Sequence, residues 1–455
     1  MNILLFLIQF ALLVIGGYLL VNLIIRNEHK VEKYALGFLL NLGIFTFLWF
    51  VINTLNIPFT ILSSFGLLFL LTMFYLVLNV IFKKDSLKNF NLLRIKLGGN
   101  YTKLEMILIG LTSVLVLSSL INNIYWPVKA WDSLALYDFR ALVFTQTGFM
   151  NEGRELGYFF QYPLFTTLFH TWVYVGGLNN PMFMYTFLYG AFLICIYFSL
   201  RKFLARAVSL AWVFVVASLP LIYDHSTIAY TNLPYSSFLI LAIFYFHRYI
   251  KNKKAGLAIT SSLLLSISAW TRYTEPFWIG ILLFVTLYFL FNRKIINLVT
   301  YLTIFFVSKF AWLNFLSSID LGDYSGGSQL TGGLNTLIKN ISLNKMYEVA
   351  MFLYKNVFLS WGGVFIVFII LFVRNVFLKQ KENNYLLATQ ILLLVGMLIG
   401  GTYLFSFIFP EWIDIPDSAT RMAMFFPPLF IYYIALELKG IYGKKIIIDI
   451  ISHLL

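Results

Sequence analysis

Residues 106–125 read MILIGLTSVLVLSSLINNIY, and this stretch decides the fold. Its 20 residues carry no charged side chain, and about 20 apolar residues are what an α-helix needs to cross the hydrocarbon core of a membrane. The apolar residues are continuous and do not alternate with polar ones, which favours a helix over a β-barrel strand. The stretch therefore predicts a transmembrane helix.

Similar runs fill the rest of the chain. The residues are 60% hydrophobic and 11% charged, with a mean hydropathy of +0.84, whereas about a quarter of the residues of a soluble domain are charged. The other apolar runs are 3–25, 34–55, 58–82, 181–200, 207–223, 235–246, 255–270, 276–291, 295–315, 350–373, 385–407 and 422–436. We expect an all-α integral membrane protein with about 13 to 14 transmembrane helices and interfacial helices in an outer loop.

The net charge of +14 is a topology signal and does not indicate nucleic-acid binding. Of the 33 Lys and Arg, 24 lie in short loops at 26–33, 83–103, 201–206, 248–254, 293–294, 374–381 and 439–445. Positive loops stay in the cytoplasm, so the loops 126–162, 224–234, 271–275, 316–349 and 408–421 are predicted to face outside. This distribution predicts a multi-pass protein of a bacterial or archaeal plasma membrane.

One segment, 163–176, does not fit a simple count of crossings. It is short, contains His170, and lies between an outer loop and the cytoplasmic cluster at 201–206. We predict that it is re-entrant or interfacial; the alternative is that one charge cluster breaks the positive-inside rule. The chain is divided into scaffold helices 1–104, a module 105–316 with the outer loop 126–162, a Gly-rich outer loop 317–349, and C-terminal helices 350–455.

The polar residues suited to chemistry lie in the predicted outer loops. The segment KAWDSLALYDFRALVF, residues 129–144, contains Asp132, Asp138 and Arg140 among aromatic residues. On a straight α-helix the two aspartates are about 120° apart, so they do not share a face. A purely structural alternative makes Asp132 a helix N-cap and leaves Asp138 and Arg140 as solvated charges, or as a local pair.

Cations are scarce on the predicted outer side. Three are candidates for binding an anion: two in outer loops and one within a predicted span. For Arg272 the alternative is an i,i+3 salt bridge with Glu275. For Arg421 the alternative is a simple interfacial anchor. Lys309 lies within the predicted span 295–315, where a cation is functional by default unless its long side chain reaches the surface. His170 and His225 are isolated and are interpreted as core or loop histidines.

The order of these motifs resembles the polytopic glycosyltransferases of the GT-C fold. The carboxylates after a transmembrane helix are followed by Gln161-Tyr162-Pro163-Leu164-Phe165, then by Ser218-Leu219-Pro220 and Tyr230-Thr231-Asn232-Leu233-Pro234. The resemblance covers roughly residues 105–310. Many relatives have aspartate where this chain has Asn232, and some use that aspartate with a divalent metal such as Mg²⁺ or Mn²⁺; here Asp224 is the available substitute.

The resemblance implies transfer of a sugar from a polyprenyl-phosphate donor to a glycan, lipid or protein acceptor on the outer face, by an inverting single displacement. Asp132 would be the general base and Asp138 the second carboxylate. The expected substrate-binding residues are Arg140, Tyr162, Asp224, Asn232, Arg272, Lys309 and Arg421. A carboxylate at the membrane surface can act as a base if burial raises its pKa.

Two other functions stay open from the sequence. A polymerase or ligase of surface polysaccharides also uses lipid-linked sugars, but such proteins usually depend on outer-loop arginines without these carboxylates. A transporter or flippase would place ionisable groups at mid-membrane and often shows internal repeats, whereas this chain has Lys309 alone at such a depth and no evident repeat.

Overall fold

A computed structural model describes residues 2–82, 100–152, 160, 162–273, 275–319, 342–378, 384–408, 410–414 and 416–453. Within these ranges the secondary structure is helical throughout, with turns and bends between the helices and no strand. The predicted all-α class is confirmed. The predicted Gly-rich loop 317–349 lies largely outside the described residues.

The helices follow one another with short connections. Those of the first half are α1 Asn2–Ile24, α2 Lys30–Thr54, α3 Ile61–Phe82, α4 Lys103–Tyr125, a π-helix Ser133–Asp138, α5 Phe139–Thr147, α6 Phe165–Val175, α7 Phe183–Arg201, α8 Arg206–Ala217 and α9 Pro220–Asp224. Those of the second half are α10 Asn232–Asn252, α11 Ala255–Thr271, α12 Glu275–Phe291, α13 Ile295–Ser318, α14 Leu343–Leu353, a π-helix Tyr354–Phe358, α15 Leu359–Phe377, α16 Asn384–Ile408, a 3₁₀ helix Pro410–Asp414, α17 Pro416–Met422 and α18 Phe426–His453.

Eight of the described helical stretches are long and apolar enough to cross a membrane. They are Asn2–Ile24, Lys30–Thr54, Ile61–Phe82, Lys103–Tyr125, Phe183–Arg201, Ile295–Ser318, Leu343–Phe377 and Asn384–Phe407. Three shorter apolar helices are Arg206–Ala217, Ala255–Thr271 and Pro276–Phe291. The molecule is therefore a multi-pass helical membrane protein.

Two predicted spans differ from the observed helices. The prediction of one continuous helix over 207–223 is wrong, because α8 ends at Ala217 and the separate α9 begins at Pro220, which has no N–H to continue the helical hydrogen bonds. The span predicted to begin at 350 begins at Leu343 and is bent at Gly362, whose φ of 54° lies in the left-handed region that glycine tolerates.

Helix α10 is the centre of the bundle. Its residues from Asn232 to Ile250 are all buried, including Ser237, His247 and Arg248. A helix surrounded by protein on every side does not need a lipid-compatible surface, since its polar groups find partners on neighbouring helices. This explains why the sequence pattern, which predicted only 235–246, underestimated the length of α10.

The predicted cytoplasmic loops meet at one end of the bundle, here called the inner end. Arg248 pairs with Glu28 at 2.8 Å, Lys202 pairs with the same carboxylate, and Arg206 pairs with Glu105 at 2.7 Å. Basic loops that are distant in sequence are thus joined by ion pairs. The opposite end, which carries Tyr125 and Arg272, is here called the outer end.

Helix α6 is too short to cross a membrane by itself. Its 11 residues span about 16 Å, roughly half of the hydrocarbon core. Just after it, the Asn180 amide donates to the carbonyl oxygens of Asn123 and Trp126 at the outer end of α4. The segment before α6 also lies at the outer end, as the site below shows, so the chain enters and leaves on the same side. The interpretation of 163–176 as re-entrant or interfacial stays a prediction, and this placement of its two ends is what that interpretation requires.

Helices α1 and α2 cross at a point where two glycines face each other. A Cβ atom added to Gly17 would lie 2.2 Å from the carbonyl oxygen of Gly37, closer than any van der Waals contact allows. Small residues at such a crossing let two backbones approach, which is how helices pack without a hydrophobic driving force in lipid. The close crossing holds α1 and α2 together as the predicted scaffold.

We expect Gly37→Ala to destabilise the protein by about 1–3 kcal/mol, because the added methyl group forces the α1 and α2 backbones apart. Thermal unfolding in detergent measures this as a lower midpoint. The matched control is Gly66→Ala in α3, where an added Cβ has nothing within 4 Å. Equal midpoints for the two variants would contradict the assigned crossing.

Candidate functional site

The predicted interfacial segment after α4 forms a π-helix over Ser133–Asp138 that continues directly into α5. Asp132, just before this π-helix, and Asp138, at its end, contact different neighbours. Short π-helical insertions are frequent at functional sites. The prediction that the two aspartates do not share a face agrees with these contacts, although the helix is not the straight α-helix assumed for it.

Asp132 forms an ion pair across the outer end of the bundle. Its Oδ2 accepts a hydrogen bond from Nη1 of Arg421 at 3.1 Å, between residues 289 positions apart. The Asp132 side chain is 39% exposed and that of Arg421 is 16% exposed. Asp132 makes no side-chain cap hydrogen bond, so the N-cap interpretation is wrong. Arg421 is an ion-pair partner of this carboxylate and not only an interfacial anchor.

Arg272 is the second cation of this surface. Its Nη1 donates to Oγ1 of Thr231 at 3.0 Å and to Oδ1 of Asn232 at 3.3 Å. Burial lowers the pKa of Arg272, but the neighbouring tyrosine oxygens and the Asp132 carboxylate outweigh it, so the pKa is raised above its usual value. Arg272 therefore stays charged, and the negative charge of Asp132 contributes to this.

Tyrosine rings surround the two arginines. Arg272 lies 5.2 Å from the ring centroid of Tyr162 and 5.9 Å from that of Tyr235, and Arg421 lies 5.1 Å from that of Tyr230. Cations over aromatic faces keep part of their electrostatic stabilisation while staying available to an anion. We call the group Asp132, Tyr162, Thr231, Asn232, Tyr235, Arg272 and Arg421 the outer site.

Asp138 faces the opposite direction, towards α6. Its Oδ1 is bonded to Nδ1 of His170 at 2.9 Å and accepts the hydroxyl of Tyr174 at 2.5 Å. Its Oδ2 takes no hydrogen bond from the described residues, and Asp138 lines a cavity of about 300 Å³ together with Val128, Leu142 and Tyr174. One oxygen of the carboxylate is thus fixed, and the group borders a cavity.

The pKa of Asp138, the predicted second carboxylate, is not raised although the side chain is largely buried. Burial acts to raise it, but the hydrogen bond from His170, the positive charge that His170 can carry and the hydrogen bond from Tyr174 outweigh it. The pKa of Asp138 is lowered, because three interactions stabilise the charged form against one that destabilises it. Asp138 is therefore an ionised carboxylate at neutral pH.

Arg140 is buried beneath the outer site. Its Nε donates to the carbonyl oxygen of Leu136 at 2.8 Å and its Nη1 to that of Tyr162 at 2.9 Å, and only 1% of the residue is exposed. The predicted local pair with Asp138 is wrong, since Asp138 bonds to His170 and Tyr174. Arg140 connects the π-helix to the Tyr162 turn, which makes it a brace of the site; its buried position does not favour direct binding of substrate.

Lys309 and Asp224 lie away from the outer site. Lys309 is 5.0 Å from the ring of Tyr273 and 5.6 Å from that of Trp278, and Tyr273 in turn packs 6.4 Å from Tyr162. Lys309 is therefore one aromatic layer removed from the outer site. Asp224 is exposed and forms no hydrogen bond or ion pair through its carboxylate with the described residues.

Asn232 is the residue on which a divalent-metal site at the outer site would depend. Its amide oxygen is taken by Arg272, and the exposed Asp224 makes no contact that would let it replace the aspartate found in relatives. Among the described residues no three His, Cys, Asp or Glu side chains are grouped to hold a metal ion. We therefore assign no role to Mg²⁺ or Mn²⁺ at this site.

Several residues of the site were not found from the sequence. His170 and Tyr174 lie one turn apart on α6 and both bond to Asp138; their i,i+4 spacing put them on one face, but nothing local linked that face to residue 138. Tyr137, whose hydroxyl lies 3.2 Å from Oγ1 of Thr231, and Tyr273 were not predicted either. The sequence has 28 tyrosines, and no local pattern distinguishes these two. The interpretation of His170 as a core histidine is confirmed, since the residue is fully buried, but its bond to Asp138 was not foreseen.

The chain matches no protein family, no curated protein and no solved structure. The fold and the site define a class: a polytopic helical membrane protein with aspartates and arginines gathered at one end of the bundle. Its particular activity is a matter for proposal.

Proposed function

We propose that this protein is a membrane glycosyltransferase of the GT-C type, which transfers a sugar from a polyprenyl-phosphate donor to an acceptor at the outer face. One observation supports this most strongly: Asp132 pairs with Arg421, 289 residues away, at the outer end of the bundle that also carries Arg272. A base beside two cations is what displacement of a phosphate by a hydroxyl group requires.

In the proposed reaction Asp132 removes the proton from the acceptor hydroxyl. The acceptor oxygen bonds to the anomeric carbon of the sugar, and the bond from that carbon to the phosphate oxygen breaks. The polyprenyl phosphate leaves with the bonding electron pair, and Arg272 and Arg421 stabilise its charge. One displacement inverts the anomeric configuration and forms no covalent intermediate with the protein.

The pair between Asp132 and Arg421 suggests how the donor prepares the base. A phosphate group that binds Arg421 competes with Asp132 for the same guanidinium. Since the Asp132 side chain is 39% exposed, the carboxylate is free to turn towards an acceptor once the phosphate has replaced it. Donor binding would therefore precede activation of the acceptor, and the free protein keeps its base paired.

The test is transfer of labelled sugar by purified protein in proteoliposomes. We expect product from polyprenyl-monophosphate sugars, and none from cytosolic nucleotide sugars. With protein inserted in a known orientation, a membrane-impermeant acceptor is expected to react only from the side that carries the outer site. Orientation is read from labelling of the inner-end loops.

Two outcomes would overturn the proposal in different directions. Transfer that needs a diphosphate-linked oligosaccharide donor would identify a polymerase or ligase of surface polysaccharide. No transfer from any donor, together with substrate-dependent movement of labelled lipid across the liposome membrane, would identify a transporter or flippase.

A further inference from the structure

A cavity of about 290 Å³ opens at the inner end of the bundle, on the face opposite the outer site. It lies between the last turns of α7, the residue before α2 and the first residue of α8. Its lining consists of His29, Tyr197, Phe198, Arg201, Lys202 and Arg206. The polar groups of this lining are three cations, an imidazole and a phenol, and none of the six is a carboxylate.

Ion pairs hold two of the three cations in position. Lys202 pairs with Glu28, and Arg206 donates to both oxygens of Glu105 at 2.8 Å and 2.7 Å. The Arg201 guanidinium is exposed and donates to the carbonyl oxygen of Leu204, a neutral acceptor. It forms no ion pair with a described carboxylate, so the cavity carries an excess positive charge.

An apolar surface borders the cavity on the membrane side. The pair of Arg206 with Glu105 places the first turn of α4 beside it, and the next residues of α4 project outwards: Met106 is 56% exposed and Ile107 is 54% exposed. Only 11% of the apolar window of α4 is buried within the protein. A hydrocarbon chain would therefore find a continuous apolar path directly next to the cations.

We propose that this cavity binds the phosphate headgroup of an anionic phospholipid of the inner leaflet, with its acyl chains along α4. Arginine binds phosphate through two parallel hydrogen bonds, and basic pockets between helices at the cytoplasmic surface recognise such headgroups. The apolar border of α4 favours a lipid over a free phosphate ion. This site is separate from the outer site and does not depend on the proposed transferase activity.

The test is native mass spectrometry of the full-length protein in detergent, titrated with phosphatidylglycerol, with phosphatidylcholine, or with phosphatidylglycerol in the presence of inorganic phosphate. We expect phosphatidylglycerol to bind about tenfold more tightly than phosphatidylcholine. Arg201→Gln is expected to weaken phosphatidylglycerol binding about fivefold, which corresponds to one cation at an anionic membrane surface. Arg201→Lys, which keeps the charge but loses the paired hydrogen bonds of arginine to phosphate, is expected to weaken binding less than Arg201→Gln does.

The control is Lys294→Gln, which removes an exposed cation of another basic loop, directly before α13, and is expected to leave lipid binding unchanged. Thermal midpoints of all variants are expected to match the wild type, since Arg201 is exposed and its side chain bonds only locally. Equal binding by wild type and Arg201→Gln, or equal binding of the two lipids, would overturn the site. Displacement of the lipid by equimolar inorganic phosphate would overturn the lipid assignment in favour of a free anion.

Discussion

Asp132→Asn is expected to lower the rate of sugar transfer by about 10²–10⁴-fold, the range that loss of a general base produces. The amide has nearly the shape of the carboxylate but cannot take the acceptor proton at neutral pH. Donor binding is expected to persist, because Arg272 is untouched and Arg421 loses a competing anion. The measurement is single-turnover transfer with labelled polyprenyl-phosphate sugar, beside a separate binding assay for the donor.

The thermal midpoint of Asp132→Asn shows whether a loss of transfer is catalytic or structural. The pair of Asp132 with Arg421 is partly exposed, and exposed pairs contribute about 0–1 kcal/mol, so the thermal midpoint is expected to change little. Asp224→Asn is the matched control: it neutralises another carboxylate of the predicted outer loops, one that makes no contact with the described residues, and should leave transfer unchanged.

The transfer rate of Asp138→Asn, measured in the same assay, tests which of the two aspartates is the base. If Asp132→Asn keeps the wild-type rate and Asp138→Asn abolishes transfer, the base is Asp138 and the acceptor binds in the cavity beside α6. Wild-type rates in both variants would remove general-base catalysis by either carboxylate from the proposal.

Arg248→Met is expected to destabilise the protein by about 3–5 kcal/mol, because it leaves the buried carboxylate of Glu32 without its cation and Glu28 with Lys202 alone. Arg248 is 1% exposed and lies between Glu28 at 2.8 Å and Glu32 at 2.6 Å. The cluster joins the turn before α2 to the central helix α10. A large fall in the midpoint of thermal unfolding in detergent checks this expectation.

Removing the acidic partners tests the cause. A triple variant carrying Arg248→Met, Glu28→Gln and Glu32→Gln is expected to recover part of the lost stability, since replacing a whole buried ion cluster costs less than breaking it. If Arg248→Met keeps the wild-type midpoint, or the triple variant is the least stable of the set, the assignment of the ion cluster as a stabilising joint is wrong.

The stability that the ion pairs of Glu28 contribute is expected to depend on pH. Burial raises the pKa of Glu28, but the charges of Arg248 and Lys202 and the hydrogen bonds that Glu28 receives outweigh it, and the net pKa is lowered. A carboxyl group with a lowered folded-state pKa contributes stability that is full above its unfolded pKa of about 4.3 and is lost as the pH falls through the folded value. The Glu28 carboxyl therefore supports the joint at neutral pH and ceases to do so in acid.

Much of the fold could be predicted because the membrane imposes local rules on the chain. A run such as residues 106–125 carries no charge and is mostly apolar, as a membrane-crossing helix requires. The basic loops share one end because translocation sorts charge. Both properties are visible in consecutive residues. The short segment 163–176 was predicted to be re-entrant or interfacial from its length and from the placement of neighbouring charges.

Where local rules stop applying, the predictions failed. The length of α10 was underestimated because polar residues interrupt its apolar pattern. These residues are buried within the bundle, so they do not need to face lipid. The break before Pro220 lies inside an apolar run that hydropathy treats as continuous. Asp132 was available as a helix cap by sequence, but its actual partner, Arg421, is 289 residues away.

By itself, the sequence determined that this is a polytopic helical membrane protein, which end of its helices carries the basic loops, and that Asp132, Asp138, Arg272 and Arg421 are its notable outer polar groups. Only the tertiary structure decided that Asp132 pairs with Arg421, that Asp138 bonds to His170, and that Arg140 is a buried brace. The physical reason is that hydropathy and charge sorting act on consecutive residues, whereas an ion pair depends on which helices become neighbours.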